Sequence, residues 1–326
     1  MNRRTLLASA SAVATLWSFA PHIARARTNV TITHPSPTSS HFGIGADAFK
    51  AEVERASDGR FAINVQRLDN EREAYESVQL GAQEFAIGTT GPLGNFVPLV
   101  KVFDIPFLFR DYEHARAVLD GPIGNDVLSG FPVAGLVGLA WGENGFRHLT
   151  TGKAQITGPK DVDGLKIRTM ENKVHMQAWQ AAGVLPTPMA FSELPTALQQ
   201  GTVDGQENPI PVILVNNFDQ LQQHLYRTAH VYSPGIVVGN PAFLEALDSA
   251  DRAIFDQAAK VAAAANRAKV EGDETSGIAE LKRRGMQVHE VDRGAFRAAM
   301  APAMAGFQAE FGEELINAIV ATEGNL

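Results

Sequence analysis

The order in which hydrophobic patterns succeed one another constrains this chain most. Asn29-Val30-Thr31-Ile32-Thr33 alternates and is β-branched, and reads as an edge-type strand. A loop rich in Pro, Ser and Thr follows, from His34 to Ser40. Phe42, Ala46, Phe49 and Val53 then fall on one helical face, with Gly59 as the stop. Phe61, Ile63 and Val65 alternate as a strand. Glu71 to Leu80 reads as a helix ended by Gly81, and Glu84 to Gly88 as a short buried strand. Strands that alternate with helices need crossover connections, and crossovers imply an α/β sheet.

The second half repeats the rhythm. Gly135 to Trp141 and Leu165 to Thr169 read as apolar strands, with a helix from about Asn172 to Ala182. Ser192 is placed to cap a helix ending at Gly201. Val203 to Glu207 reads as a strand leading into a helix near Pro209. From Ser249 to about Arg284 the pattern is one long helix, rich in Ala, Lys and Glu, with Gly272 and Gly277 as places where it could kink. That length exceeds an ordinary globular helix and suits an element spanning two domains. Met286 to Val291 reads as a last strand, and amphipathic helices close the chain.

Length and charge narrow the class. At 326 residues the chain has room for about two domains. With 28 Lys and Arg against 36 Asp and Glu, it lacks the basic footprint of a nucleic-acid binder. The absence of cysteine removes disulfides, thiolate nucleophiles, Cys-ligated zinc and iron–sulfur clusters together. Residues 1–26 read as a signal peptide: Arg3 and Arg4 precede an uncharged stretch from Leu6 to Ala20, and Ala24-Arg25-Ala26 makes a cleavage site. The paired arginines resemble a twin-arginine export signal. The apolar run is shorter than the ~20 residues of a membrane span. The expected product is periplasmic, cleaved after about Ala26.

Catalytic signatures are missing. Gly43-Ile44-Gly45-Ala46-Asp47-Ala48 fits G-x-G-x-x-A but lies inside a helical stripe, not in the turn that opens it. No P-loop, H-E-x-x-H or G-x-S-x-G occurs. The histidines show no metal-ligand spacing, and Glu171, Glu193 and Glu207 have no evident partner in a nucleophile–base set. The residues alone offer no nucleophile–base set, no cofactor motif and no metal site. What stands out are two arginines: Arg147 in Gly145-Phe146-Arg147-His148-Leu149-Thr150, and Arg168 at the carboxyl end of an apolar strand. Ligands of open α/β sheets sit beyond such strand ends, and a guanidinium grips a carboxylate bidentately. A surface or interdomain ion pair is the other reading of each.

A longer block carries a resemblance. Pro186-Thr187-Pro188-Met189-Ala190-Phe191-Ser192-Glu193-Leu194, continuing through Gly201-Thr202-Val203-Asp204-Gly205-Gln206-Glu207-Asn208-Pro209, resembles the substrate-binding proteins of tripartite ATP-independent periplasmic (TRAP) transporters, the DctP-type family. Asp69-Asn70-Glu71-Arg72-Glu73, Gly91-Pro92-Leu93-Gly94 and Phe103-Asp104-Ile105-Pro106-Phe107 are similar to the same family, in the same order. The resemblance implies a two-lobed α/β solute-binding fold with a long helix spanning both lobes. Lobe I would comprise 27–145 and about 233–265, lobe II 146–232 and about 266–300, with C-terminal helices in 301–326. It implies an organic acid held by Arg168 as principal carboxylate partner, Arg147 as a second contact, Asn208 as hydrogen-bond donor and Phe191 as packing face. His34, Glu71, Arg72 and Thr89 would read the rest of the ligand from lobe I. Thr89 stands where sialate-binding members usually have an acid, which argues against sialate. The expected ligand is a hydroxylated sugar acid such as a uronate or aldonate, delivered to a membrane permease after hinge closure; a C4-dicarboxylate or 2-oxo acid is the alternative, and a periplasmic enzyme or ligand-presenting sensor a more distant one.

Overall fold

The computed structural model describes residues 27–153 and 155–324; the export segment 1–26 lies outside the described residues. The strands are β1 (Thr28–His34), β2 (Phe61–Arg67), β3 (Phe85–Thr89), β4 (Val137–Thr151), β5 (Lys166–Thr169), β6 (Leu185–Pro188), β7 (Gly205–Pro209), β8 (His224–Gly239) and β9 (Gln287–His289). The helices are α1 (His41–Ala56), α2 (Glu71–Gln79), α3 (Thr90–Leu93), α4 (Tyr112–Asp120), α5 (Pro122–Ser129), α6 (Lys173–Ala181), α7 (Leu194–Gln200), α8 (Ile210–Val215), α9 (Pro241–Glu245), α10 (Ser249–Arg283), α11 (Arg293–Met300), α12 (Met304–Phe311) and α13 (Glu313–Ala321).

One sheet joins everything, in the order β2-β1-β3-β8-β4-β7-β5-β6, with β9 paired to β8. β1 is parallel to β2 and β3 and lies between them, so it is an interior strand and β2 the edge, contrary to the sequence expectation. The alternating pattern of β1 reflects its polar end, where Thr33 and His34 are nonetheless buried. A second parallel unit, β6-β5-β7, mirrors the first. β4 and β8 run antiparallel through both units. β8 pairs with β3 from Phe85↔Gly239 to Thr89↔Gly235, and with β9 at its other end. β4 pairs with β7 from Arg147↔Pro209 to Thr151↔Gly205.

The crossing strands are irregular where the units meet. Register shifts fall at Glu143/Gly145 and Arg147/Leu149, and Gly145 takes φ +118°. Leu149 faces Tyr226 while Arg147 faces Val231, so residues 227–230 bulge out of β8 and Ala229 is left-handed. The His148 ring accepts the Ala229 N–H at 3.0 Å and holds that bulge.

α10 is continuous over 35 residues, without a break at Gly272 or Gly277. Phe255, Ala258, Ala259 and Ala262 pack into the core beneath β1–β3, and Leu281 into a separate core with α7 and α8. A Cβ on Gly45 would lie 3.2 Å from the Ala262 carbonyl, and one on Gly43 2.3 Å from the Thr38 carbonyl. These glycines of α1 serve close packing. Ser192 does not cap α7; Phe191–Glu193 forms a 3-10 turn that leads into it. The C-terminal helices bury Phe296, Met300, Phe307, Ile316 and Ile319 in the core shared with Leu108 and Phe109. No helix among the described residues is long and apolar enough to cross a membrane.

Candidate functional site

β5 stops at Thr169, and its arginine lines a cavity at the junction of the two parallel units. Glu71, Thr89, Arg168, Phe191 and Asn208 all line it, joined by Asn144, Met170 and Phe42. Register explains the pairing of Arg168 with Asn208. Arg168 aligns with Gln206 on β7, and Asn208 lies two residues further along on the same face.

Arg168 is buried, yet no carboxylate neutralises it. Its Nε and Nη2 donate to the Met189 carbonyl at 3.2 and 2.8 Å, and its Nη1 has no partner. The guanidinium carbon lies 5.9 Å above the Phe191 ring. Burial, aided by Arg147, lowers its pKa to about 10, so it remains a cation at neutral pH. Asn208 donates one N–H to Gln206 Oε1 at 2.5 Å, which leaves its second N–H. A cation with a spare nitrogen, an amide and an aromatic face form one wall.

The opposite wall is acidic. Glu71 opens α2, and its Oε1 accepts from Thr89 N at 2.6 Å and Thr89 Oγ1 at 2.9 Å. Burial pushes its pKa up, against the Thr89 hydrogen bonds and the two arginines. Of the four residues expected to read the rest of the ligand, Glu71 and Thr89 line the cavity, and His34 and Arg72 do not. Arg72 turns outward, 58% exposed and 3.7 Å from Glu171. His34 is buried at the end of β1, off the cavity wall, with both ring nitrogens unpartnered and its pKa lowered by burial.

Arg147 does not line the cavity: it is bidentate on Glu207. Leu149 is the residue opposite Glu207, so Glu207 is the diagonal cross-strand neighbour of Arg147. Burial pushes Glu207 up, but Arg147 and the His230 Nε2–H outweigh it and hold its carboxyl well below the usual range. His175, whose pKa burial lowers to about 3, stands neutral between Glu207 and Asp104. Asp104 is buried, with a pKa raised by burial to about 7, and accepts from Thr90 Oγ1 and Asn172 Nδ2. The second arginine is thus spent on a buried ion pair, with only its Nη1 unpartnered.

Sequence reasoning missed Asn144, Met170 and Phe42 at the cavity, and Glu207 as the partner of Arg147. Met170 had a signal, two residues past Arg168 on a strand and so on its face. Asn144 had none, because its place depends on the β4 irregularity and on bonds to His41 (3.1 Å) and Ser233 (3.3 Å). Among the described residues no group of three or more His, Cys, Asp or Glu could hold a metal ion.

Two parallel units bridged by crossing strands and one long helix, with a buried cation in a small cavity between them, define a two-lobed α/β receptor for a small anionic solute. Residues 32–310 match the DctP family, bacterial extracellular solute-binding proteins of family 7, and the chain belongs to it. A solute-binding protein from Verminephrobacter eiseniae is 47% identical over 300 residues, covering 91% of this chain and 90% of that one. The crystal structure of a TRAP periplasmic solute-binding protein from Polaromonas sp. JS666, bound to D-erythronate, is 53% identical with a TM-score of 0.89, covering 92% of this chain and all of that one. A TRAP solute-binding protein from Bordetella, with density assigned as pantoate, is 47% identical with a TM-score of 0.90, covering 91% and 100%. The chain is a TRAP-type transport receptor, not an enzyme.

Proposed function

We propose that this protein captures a short hydroxylated monocarboxylate in the cavity between Arg168 and Glu71. The observation that carries this reading is the charge of the two walls. Arg168 offers one uncompensated guanidinium, enough for one carboxylate. Glu71 faces the same cavity and would repel a second carboxylate while accepting a hydroxyl. The D-erythronate and pantoate named for the two similar structures share a 2,4-dihydroxybutanoate skeleton. Phe42, Met170 and Val212 give the same cavity apolar surface for a carbon chain or its branches.

In this reading Arg168, Asn208 and Phe191 hold the carboxylate end, and Glu71 and Thr89 the hydroxyl end. Lobe I, built on β1–β3, closes on lobe II, built on β5–β7, with β4, β8 and α10 as the connections that bend. The loaded protein then presents its ligand to a membrane permease, and residues 1–26 direct export to the periplasm. The test is a thermal-shift screen followed by calorimetry with D-erythronate, pantoate, galactonate, glucuronate and succinate. A ligand bound only by the folded chain raises stability by about 2.7 kcal/mol at a hundredfold excess over Kd. The expected result is a shift with the dihydroxybutanoates and none with succinate; a preference for succinate would overturn the reading.

A further inference from the structure

Three consecutive residues follow Arg168 and Thr169 out of β5, and each of them touches the first half of the chain. The Met170 thioether packs beneath α3: a Cβ on Gly91 would lie 2.6 Å from its methyl and 2.7 Å from its sulfur. Thr89 Oγ1 is 3.7 Å from the same sulfur. The Glu171 carbonyl accepts from Asn95 Nδ2 at 3.0 Å, and its carboxylate lies 3.7 Å from Arg72. Asn172 Nδ2 donates to Asp104 Oδ2 at 2.7 Å, and Asp104 Oδ1 accepts from Thr90 Oγ1 at 2.9 Å. Both Asn172 and Asp104 are buried.

Asn172 does two things with one amide. Its oxygen caps α6, accepting from Val174 N at 2.9 Å and His175 N at 3.3 Å. Its nitrogen reaches across to Asp104. A buried N–H to a carboxylate is among the stronger neutral-donor hydrogen bonds, and its loss strands a buried acceptor. All the partners lie between residues 72 and 104, on the unit that also supplies Glu71 and Thr89.

We infer that Met170-Glu171-Asn172 is the latch of the receptor, with the Asn172–Asp104 bond as its catch. It rests on the reading of the cavity between Arg168 and Glu71 as the ligand site. Arg168 holds the ligand, and the next residues of the same segment hold the lobes together over it. Asp104 and Asn172 are positioning residues: neither lines the cavity, and they act through the fraction of molecules that is closed. Apparent affinity falls in proportion to that fraction.

Asn172→Asp separates the latch from the cap. Aspartate caps a helix as well as asparagine does, but it sets a second carboxylate against Asp104. Asp104→Asn in the same chain reverses the polarity of the bond and restores it, with the new amide oxygen at position 104 still free to accept from Thr90. The experiment measures D-erythronate affinity by calorimetry for wild type, Asn172→Asp and the double variant. Because the chain has no cysteine, spin labels placed at Glu76→Cys on α2 and Gln180→Cys on α6 report the interlobe distance in parallel. The expected result is a loss of about tenfold to a hundredfold in Asn172→Asp, with a depleted short-distance population at saturating ligand and recovery of both in the double variant. Wild-type affinity and distances in Asn172→Asp, or a defect that the double variant does not repair, would overturn the latch. Failure of D-erythronate to bind wild type would instead count against the hydroxy-acid reading. The latch is then read on the unliganded distance distributions, where identical profiles for all three chains overturn it.

Discussion

Replacing Arg168 by lysine keeps the charge in the cavity and removes the planar fork. A lysine ammonium cannot donate to the Met189 carbonyl and a ligand carboxylate in the same two-pronged geometry. The expected outcome is a loss of about 2–3 kcal/mol in ligand binding by calorimetry, with the melting temperature nearly unchanged. Arg147→Ala should behave in the opposite way. It strands the Glu207 carboxylate in the protein interior, where removal of one partner of a buried pair costs about 3–5 kcal/mol of stability. Denaturant unfolding separates the two, and replacing Glu207 as well should recover part of the loss. Both arginines stood out in the sequence, Arg168 by its strand-end position and both by their chemistry, because those features are local. Their division of labour did not, because Glu207 meets Arg147 only through the pairing of β4 with β7. Identical side chains in similar strand segments differ only in what the register brings beside them.

At the scale of elements, the two glycines of α10 make a matched pair. Gly272 is open, with nothing within 4 Å of where a Cβ would stand. Gly277 faces α8, where a Cβ would lie 2.5 Å from Ile210 Cγ2 and 2.6 Å from Leu214 Cδ1. Gly272→Ala is expected to raise stability by about 0.5–1 kcal/mol through helix propensity and reduced unfolded-state entropy. Gly277→Ala, the same chemical change, is expected to lower it by about 1–2 kcal/mol through overpacking. Denaturation midpoints of the two variants check the contrast. α1, with its apolar stripe and glycine stop, and α10, an unbroken run rich in Ala, Lys and Glu, were legible within a few residues. β8 was not read as a strand, because Thr228, His230 and Ser233 interrupt its apolar pattern while lying buried. Their partners, His230 with Glu207 and Ser233 with Asn144, come from distant segments. The α4–α5 pair also went unread, since no strand separates the two helices.

For the whole molecule, the place where α10 crosses β4 sets a pH dependence. Glu274 sits beside the Tyr112 hydroxyl and Gly145, and burial raises its carboxyl pKa to about 7, assisted by Asp273 and Glu143 and opposed by Tyr112 and Arg227. The folded chain therefore holds this proton more tightly than the unfolded chain, whose carboxyl titrates near 4.5. The contribution of Glu274 to stability should decline as pH rises from about 4.5 to 7 and level off above that. A rise from 4.5 to about 7 corresponds to about 3 kcal/mol. Glu274→Gln should flatten that part of the profile and raise the melting temperature at pH 8; an unchanged slope would show that Glu274 does not titrate in this window.

The two long strands also fix an order of events in time. Phe85 pairs with Gly239, about 150 residues later, and Thr151 pairs with both Gly205 and His224. The first three strands therefore lack their sheet neighbour until β8 has been synthesised, which at ribosomal rates of about 5–20 residues per second takes many seconds. Neither half can be finished and set aside while the other is made. For this chain, commitment to the native state is a late decision of the nascent polypeptide, and any chaperone or export machinery that meets it earlier meets it unfolded.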